Sequence, residues 1–282
     1  MSLTIRPFTR EDIDFALVQT RREGWDNTAA MFELSLDHDP HGCFVAEIDG
    51  NPAGMVTSTR YASSAWLGNL IVEPAARRRG VGERLLSHAI LALKRLGLRT
   101  FRLEADPMGI ALYRRLGFVD QFEVPRFLKT PPHPADSPQK AVAITESLHS
   151  EVCAYDLRGF GDDRRALLHN LMTIAPSAFC VRHEEGTLAG YAATVSAAEG
   201  VRFGPCVADD TDTAASLLEA VLSAHRDVPV VTAVPGVNLA AIDTLTSRSF
   251  RITDSCLRML LGPPDSESNP QKLIAIANGA IG

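Results

Sequence analysis

The 282-residue chain has few aromatics (6%), two tryptophans, and five cysteines with no C-x-x-C pair. Cys43, Cys153, Cys180, Cys206 and Cys256 are odd in number and widely spaced, which argues against a disulfide frame or zinc site and fits small buried apolar residues in a reducing compartment. The eight histidines show no H-E-x-x-H or similar ligand spacing, so no metal is expected. No stretch approaches the roughly 18 uninterrupted apolar residues of a membrane span, and the charged segment from Met1 to Asp14 lacks a signal peptide's apolar centre. A cytoplasmic protein without a membrane partner is expected. A basic surplus is also missing: the net charge of −6 argues against a nucleic-acid partner.

Hydrophobic content of 45% and charged content of 22% are ordinary for a globular chain and exclude disorder, collagen and coiled coil. The length suggests two domains. Residues 1–139 hold 17 Lys and Arg against 17 Asp and Glu, whereas 140–282 hold 11 against 17, so the whole imbalance lies in the second half. The proline-rich stretch TPPHPADSPQ at 130–139 reads as a linker. The expected division is a first domain at 1–130, a linker at 131–139, a second domain at 140–262 and a tail at 263–282 that packs back on the body.

In the first half, strands are expected at 3–7, 43–48, 53–61, 65–72, 100–105 and 118–127. Helices are expected after Thr9, around 27–37, at 80–96 and at 109–116. The third is the clearest: Val81, Leu85, Ala89, Leu93 and Leu96 recur at helical spacing, and Gly97 stops the run. A faint repeat joins the halves. Phe44, Gly50, Ala53, Gly54 and Gly68 correspond to Phe179, Gly186, Ala189, Gly190 and Gly204, and further on Leu85, Leu86 and Phe118 correspond to Leu217, Leu218 and Phe250. The second copy is shorter only between the third strand and the long helix.

That junction concentrates the chemistry of the first half. Arg77-Arg78-Arg79-Gly80-Val81-Gly82 follows a strand and opens a helix, so unpaired N–H groups and the positive dipole end are presented beside three guanidinium groups. Like charges crowd there only if an anion visits, and a phosphate is the expected guest. The Walker lysine motif and the dinucleotide G-x-G-x-x-G are absent.

From Ala65 to Phe118 the sequence resembles the GNAT superfamily of N-acetyltransferases. Arg77, Gly80 and Gly82 fill that superfamily's R/Q-x-x-G-x-G/A pattern after Leu70-Ile71-Val72-Glu73-Pro74, and Ala111-Leu112-Tyr113-Arg114-Arg115-Leu116-Gly117-Phe118 is similar to its second signature. The resemblance implies an α/β protein of two tandem GNAT-like domains, each a mixed, mostly antiparallel sheet flanked by helices. It implies acetyl-coenzyme A as cofactor, its pyrophosphate held by N–H groups from Arg78 through Gly80, Val81 and Gly82 to Glu83 and neutralised by Arg77, Arg78, Arg79 and Arg84. The strand Leu70, Ile71 and Val72 then pairs with the pantetheine arm. Tyr113, a phenol of ordinary pKa about 10, suits proton donation to a departing thiolate. Glu73, Glu104 and Asp106 are the candidate carboxylates for accepting the amine's proton.

The second half contrasts. Asp209-Asp210-Thr211-Asp212 stands where the arginine loop stood, and Leu245 lies opposite Tyr113. Carboxylates there neutralise the helix dipole and repel phosphate, so this copy is expected to keep the fold without cofactor or catalysis. The expected activity is direct transfer of an acetyl group to the primary amine of a small molecule in a ternary complex. The alternatives are a protein lysine or N-terminal acetyltransferase and, from another class, a non-catalytic acyl-coenzyme A sensor.

Overall fold

The structure, a computed structural model, describes residues 2–133, 140–264 and 268–282. Most of the expected linker, 134–139, lies outside the described residues. The chain divides into two compact units. The first holds the chain up to Asp120 with Met259–Pro264 and Gly279–Ile281, and the second holds Gln121–Arg258, the described residues up to Asn278, and Gly282. The division falls inside a strand rather than at the proline-rich stretch, because that strand's later residues ladder with the second unit: Arg126 to Lys129 pair Ala233 to Val230.

In order, the first run of elements is β1 (Leu3–Pro7), α1 (Ile13–Arg22), α2 (Ala29–His38), β2 (Phe44–Ile48), β3 (Asn51–Arg60), β4 (Ser64–Val72), α3 (Val81–Arg95), β5 (Thr100–Ala105), α4 (Ile110–Arg115) and β6 (Val119–Lys129). The second is β7 (Val142–Ala143), α5 (His149–Phe160), α6 (Arg165–Ile174), β8 (Ala178–Arg182), β9 (Leu188–Ala197), β10 (Gly200–Ala208), α7 (Thr211–Ala224), β11 (Val230–Ala233), α8 (Leu239–Thr246) and β12 (Arg251–Leu261), followed by β13 (Leu273–Ala275). Element for element the two runs match, as the repeat implied, and β13 is an addition at the end.

In the first unit β1 to β4 pair antiparallel in sequence order and β4 pairs β5 in parallel. Asp49 and Gly50 turn β2 into β3, both at positive φ (50° and 82°), the hand that suits a tight hairpin. Asp12 fixes the entry to α1: its carboxylate accepts from the Thr9 backbone N–H (2.9 Å) and from both terminal nitrogens of Arg6 (2.7 and 2.8 Å). The seam of α3 is as periodic in space as in sequence, with Leu85, Leu86, Ala89 and Leu93 fully buried, each leucine removing apolar surface worth about 1.5–3 kcal/mol. Gly54 lets α3 approach β3, since a Cβ there would stand 2.8 Å from the Ile71 carbonyl oxygen and 3.2 Å from Leu85.

Candidate active site

The site is built where β4 gives way to α3. Arg78 and Gly80 both take the left-handed conformation, φ 60° and 76°, and a Cβ at Gly80 would meet nothing within 4 Å, so the backbone angle rather than crowding favours glycine there. Gly80 is the N-cap of α3 and no side chain among the described residues caps the helix; its first backbone bond runs from Arg84 N–H to Gly80 C=O, 3.1 Å. The N–H groups of Val81, Gly82 and Glu83 therefore open the helix without a side-chain acceptor, at its positive end. Arg78, Arg79 and Arg84 are exposed around them. Such an arrangement can receive an anion. Gly82 faces Val72 (3.4 Å from its would-be Cβ) and Leu112 (3.6 Å), so the loop, the end of β4 and α4 converge there.

Arg77 stands apart from the other arginines of the loop. Its Nε donates to the Val72 carbonyl (2.8 Å) and its Nη2 pairs with Glu23 at the end of α1. Glu73 faces Arg22 at 3.7 Å with 39% of its side chain exposed. Both contacts tie α1 to the β4–α3 junction. Glu104 and Asp106 are half-buried at the end of β5.

β4 and β5 share a parallel ladder only from Ser64–Thr100 to Trp66–Arg102 and then diverge. Leu70, Ile71 and Val72 consequently have no β5 partner on that edge, the arrangement an extended ligand needs for strand-like pairing. Tyr113 is buried on α4, its ring packed edge-on to Phe118 (5.9 Å, 67°) and seated over Gly109, where a Cβ would come within 2.7 Å of the ring. The structure thus brings the loop 78–84, the edge 70–72 that β5 leaves and α4 together. Two residues were not read from the sequence: Glu23, for which no local pattern exists, and Asn69, whose presence inside an apolar strand was the available signal.

The equivalent place in the second unit is closed twice. Asp210 caps α7, its carboxylate accepting from Thr213 N–H at 2.7 Å. Beyond the short parallel ladder of Val201 and Arg202 with β11, β10 does not run free: β13 pairs with it, Cys206 opposite Ala275 and Val207 opposite Leu273. The Asn238 carboxamide nitrogen lies within 3.2 Å of the carbonyls of Pro270, Gln271 and Leu273 and pins that segment. Asp209 is surrounded by Lys272 (2.8 Å), His183 (3.2 Å) and Arg158 (3.3 Å); burial pushes its carboxyl up, but Lys272 and His183 outweigh this and hold it below the usual range. Leu245, on α8, is buried at the position of Tyr113.

No group of three or more His, Cys, Asp or Glu among the described residues could hold a metal, and no described helix is long and apolar enough to cross a membrane.

The sheet thus parts beside a helix whose glycine-rich N-terminus is open. Residues 9–118 match the acetyltransferase (GNAT) family and residues 152–275 an acetyltransferase (GNAT) domain. The chain belongs to the GNAT acetyltransferases, carries two GNAT domains in tandem, and is an acyltransferase. It is similar to an uncharacterised N-acetyltransferase, YitH, of Bacillus subtilis, 26% identical over 190 residues, which cover 67% of this chain and just under two thirds (66%) of that protein. A holothin acyltransferase of a Pseudoalteromonas species is 24% identical over 282 residues, 99% of this chain and 94% of that one. Among solved structures, a putative acetyltransferase from Pyrococcus horikoshii superposes with a TM-score of 0.86 at 26% identity, covering 99% of this chain and 96% of that one.

Proposed function

We propose that this chain is an acetyl-coenzyme A-dependent N-acetyltransferase that works through its first unit and acetylates the primary amine of a small molecule by direct attack in a ternary complex. The observation that carries the reading is the pairing of an uncapped α3 N-terminus with a free β4 edge in the first unit, against a capped helix and a β13-filled edge in the second. The residues present fit the cofactor: N–H groups from Val81 to Glu83 hold a diphosphate, the exposed guanidinium groups of Arg78, Arg79 and Arg84 neutralise it, and Leu70 to Val72 offer backbone partners to an extended arm. Arg77 braces this loop through Val72 and Glu23.

When bound, the thioester supplies an acyl group activated for nucleophilic attack. A backbone N–H at the β4 bend would polarise the carbonyl, and the Tyr113 hydroxyl would give a proton to the leaving sulfur. Glu73, facing Arg22 at 3.7 Å beside the end of β4, would take the amine's proton, with Glu104 and Asp106 as the other candidate carboxylates. None of the five cysteines lies in the strand end 70–72, the loop 78–84 or α4, and burial pushes the thiol of Cys43, the one cysteine of the first unit, up to about 12, which supports direct attack over an acyl-cysteine route. A small acceptor is supported by the near full-length likeness to a relative named for acylating holothin.

The test is titration calorimetry with acetyl-coenzyme A, followed by thiol release with polyamines, amino sugars and amino acids. Binding that collapses in Gly82→Trp and in the triple alanine variant of Arg78, Arg79 and Arg84 is expected. Undiminished binding removes the loop assignment, and binding without thiol release for any amine turns the reading to a sensor.

A further inference from the structure

The ladder of β4 with β5 stops at Trp66, and past it β4 carries a bulge: Thr57 of β3 pairs Gly68 and Met55 pairs Ile71, so Asn69 and Leu70 together face Val56. The wedge between β4 and β5 therefore has its narrow end beside Trp66 and Gly68, with the edge 70–72 nearer its mouth. Trp66 and Gly68 lie two residues apart and share a face of the strand. Opposite them on β3 are Thr59 and Thr57, in step with Met55, which packs with Phe8, Ile13 and Phe32. A segment from far along the chain covers this narrow end. Residues Gly279–Ile281 belong to the first unit. The Trp66 indole Nε1 donates to the Gly279 carbonyl at 2.9 Å, and the Tyr61 hydroxyl donates to the Ile281 carbonyl. Between these anchors Ala280 lies against Gly68, where a Cβ would stand 2.5 Å from the Ala280 Cα and 2.7 Å from its Cβ. Glycine at 68 is thus required by close approach. Tyr61, Trp66, Ala280 and Ile281 are all buried.

An arm anchored at the start of α3 enters the wedge at Val72 and pairs back along Ile71 and Leu70, so its acyl end is directed at the narrow end. There the acyl group meets residues 279–281. We infer that the segment Gly279–Ile281, seated on Gly68 by Trp66 and Tyr61, is the stop that sets the length of the acyl group: acetyl fits in front of Ala280, and longer chains run into it. This rests on the acetyltransferase reading above and names what limits its acyl donor. The wall is effective because it is made of backbone held at two carbonyls, which yields less readily than the end of a flexible side chain. One methylene too many in such a pocket costs about 10- to 200-fold in discrimination.

The experiment compares wild type with Ala280→Gly, Tyr61→Phe and a chain stopped after Asn278. Each is titrated in a calorimeter with coenzyme A and with its acetyl, butyryl and hexanoyl thioesters, and kcat/KM for the thioesters is read by thiol release with the most active amine of the panel. Wild type is expected to bind hexanoyl-coenzyme A about 10-fold or more weakly than acetyl-coenzyme A, and to turn it over correspondingly less. In the shortened chain that gap is expected to close, while affinity for coenzyme A itself stays within about twofold of wild type, as for a site apart from the loop 77–84. Ala280→Gly removes one methyl group and is expected to raise the butyryl-to-acetyl ratio of affinities about 10-fold. Tyr61→Phe frees the carbonyl of Ile281 and is expected to shift the ratio the same way; these two variants carry the test if the shortened chain does not fold. A wild type that takes hexanoyl as well as acetyl, folded variants with the wild-type chain-length profile, or an equal loss of affinity for every ligand in the variants overturns the inference. A wild type that binds neither coenzyme A nor any of its thioesters overturns the acetyltransferase reading itself, and this inference with it.

Discussion

Tyr113 shows how little of a side chain's role lies in the side chain alone. Its ring is fixed by Phe118 and by the missing Cβ of Gly109, so its hydroxyl has one place to be. Tyr113→Phe keeps that packing and removes only the proton. Turnover is expected to fall about 10²-fold while acetyl-coenzyme A affinity stays within error, as stopped-time thiol assays and calorimetry on the same samples would show; an unchanged rate at every pH removes the acid role. The cysteines make the opposite case. Cys43, Cys180, Cys206 and Cys256 are buried and Cys153 is half-buried. With Ellman's reagent at neutral pH, Cys153 is expected to react first and the other four only as fast as the protein unfolds, whereas rapid labelling of Cys43 would contradict its burial. Although Cys153 is only half-buried, reading Cys43, Cys180, Cys206 and Cys256 as buried core residues was possible from count and spacing. The bracing of Arg77 by Glu23 was not, since a sequence cannot show which of three neighbouring arginines meets a carboxylate 54 residues away.

Among elements, the long helix α3 was legible because its seam repeats at 3.6 residues, and its start because two glycines and three arginines have no reason to meet in an ordinary turn. The bulge in β4 was not, since Leu67 to Val72 reads as a plain buried strand apart from Asn69. Element starts also govern stability. Burial works against ionisation of Asp12, but the Arg6 fork and the Thr9 N–H outweigh it and hold the carboxyl below its ordinary value. A depressed folded-state value means that the stabilisation is complete above the unfolded value of about 3.9 and is lost as pH falls through the folded one. Thermal unfolding of wild type and Asp12→Asn should therefore differ at pH 6, by about 1–2 kcal/mol for a lost cap and charge-assisted bonds, and converge below about pH 4. A gap that persists at low pH would mean that the carboxylate charge is not what fixes the start of α1.

For the whole molecule, the repeat seen in a handful of Gly, Leu and Phe positions proved to be a repeat of every element from β1 to β6 in β7 to β12. The acidic Asp209 to Asp212 segment already set the second copy apart electrostatically. What the sequence concealed is a structural difference beside it. β13, read only as part of the tail, pairs with Cys206 and Val207 of β10, whereas among the described residues the matching Leu70 and Ile71 of β4 have no ladder partner on that side. A capped helix could be uncapped by one substitution, but a filled edge cannot be emptied that way. Asp210→Ala is accordingly expected to destabilise the protein by about 1 kcal/mol through the lost cap and to create no second binding event. Calorimetric titration of both proteins with acetyl-coenzyme A should give a stoichiometry of one per chain, unchanged by the substitution. Two equivalents in the wild type would show that β13 yields to the ligand, and two in the variant alone would show that the aspartate, not the strand, kept the second site shut.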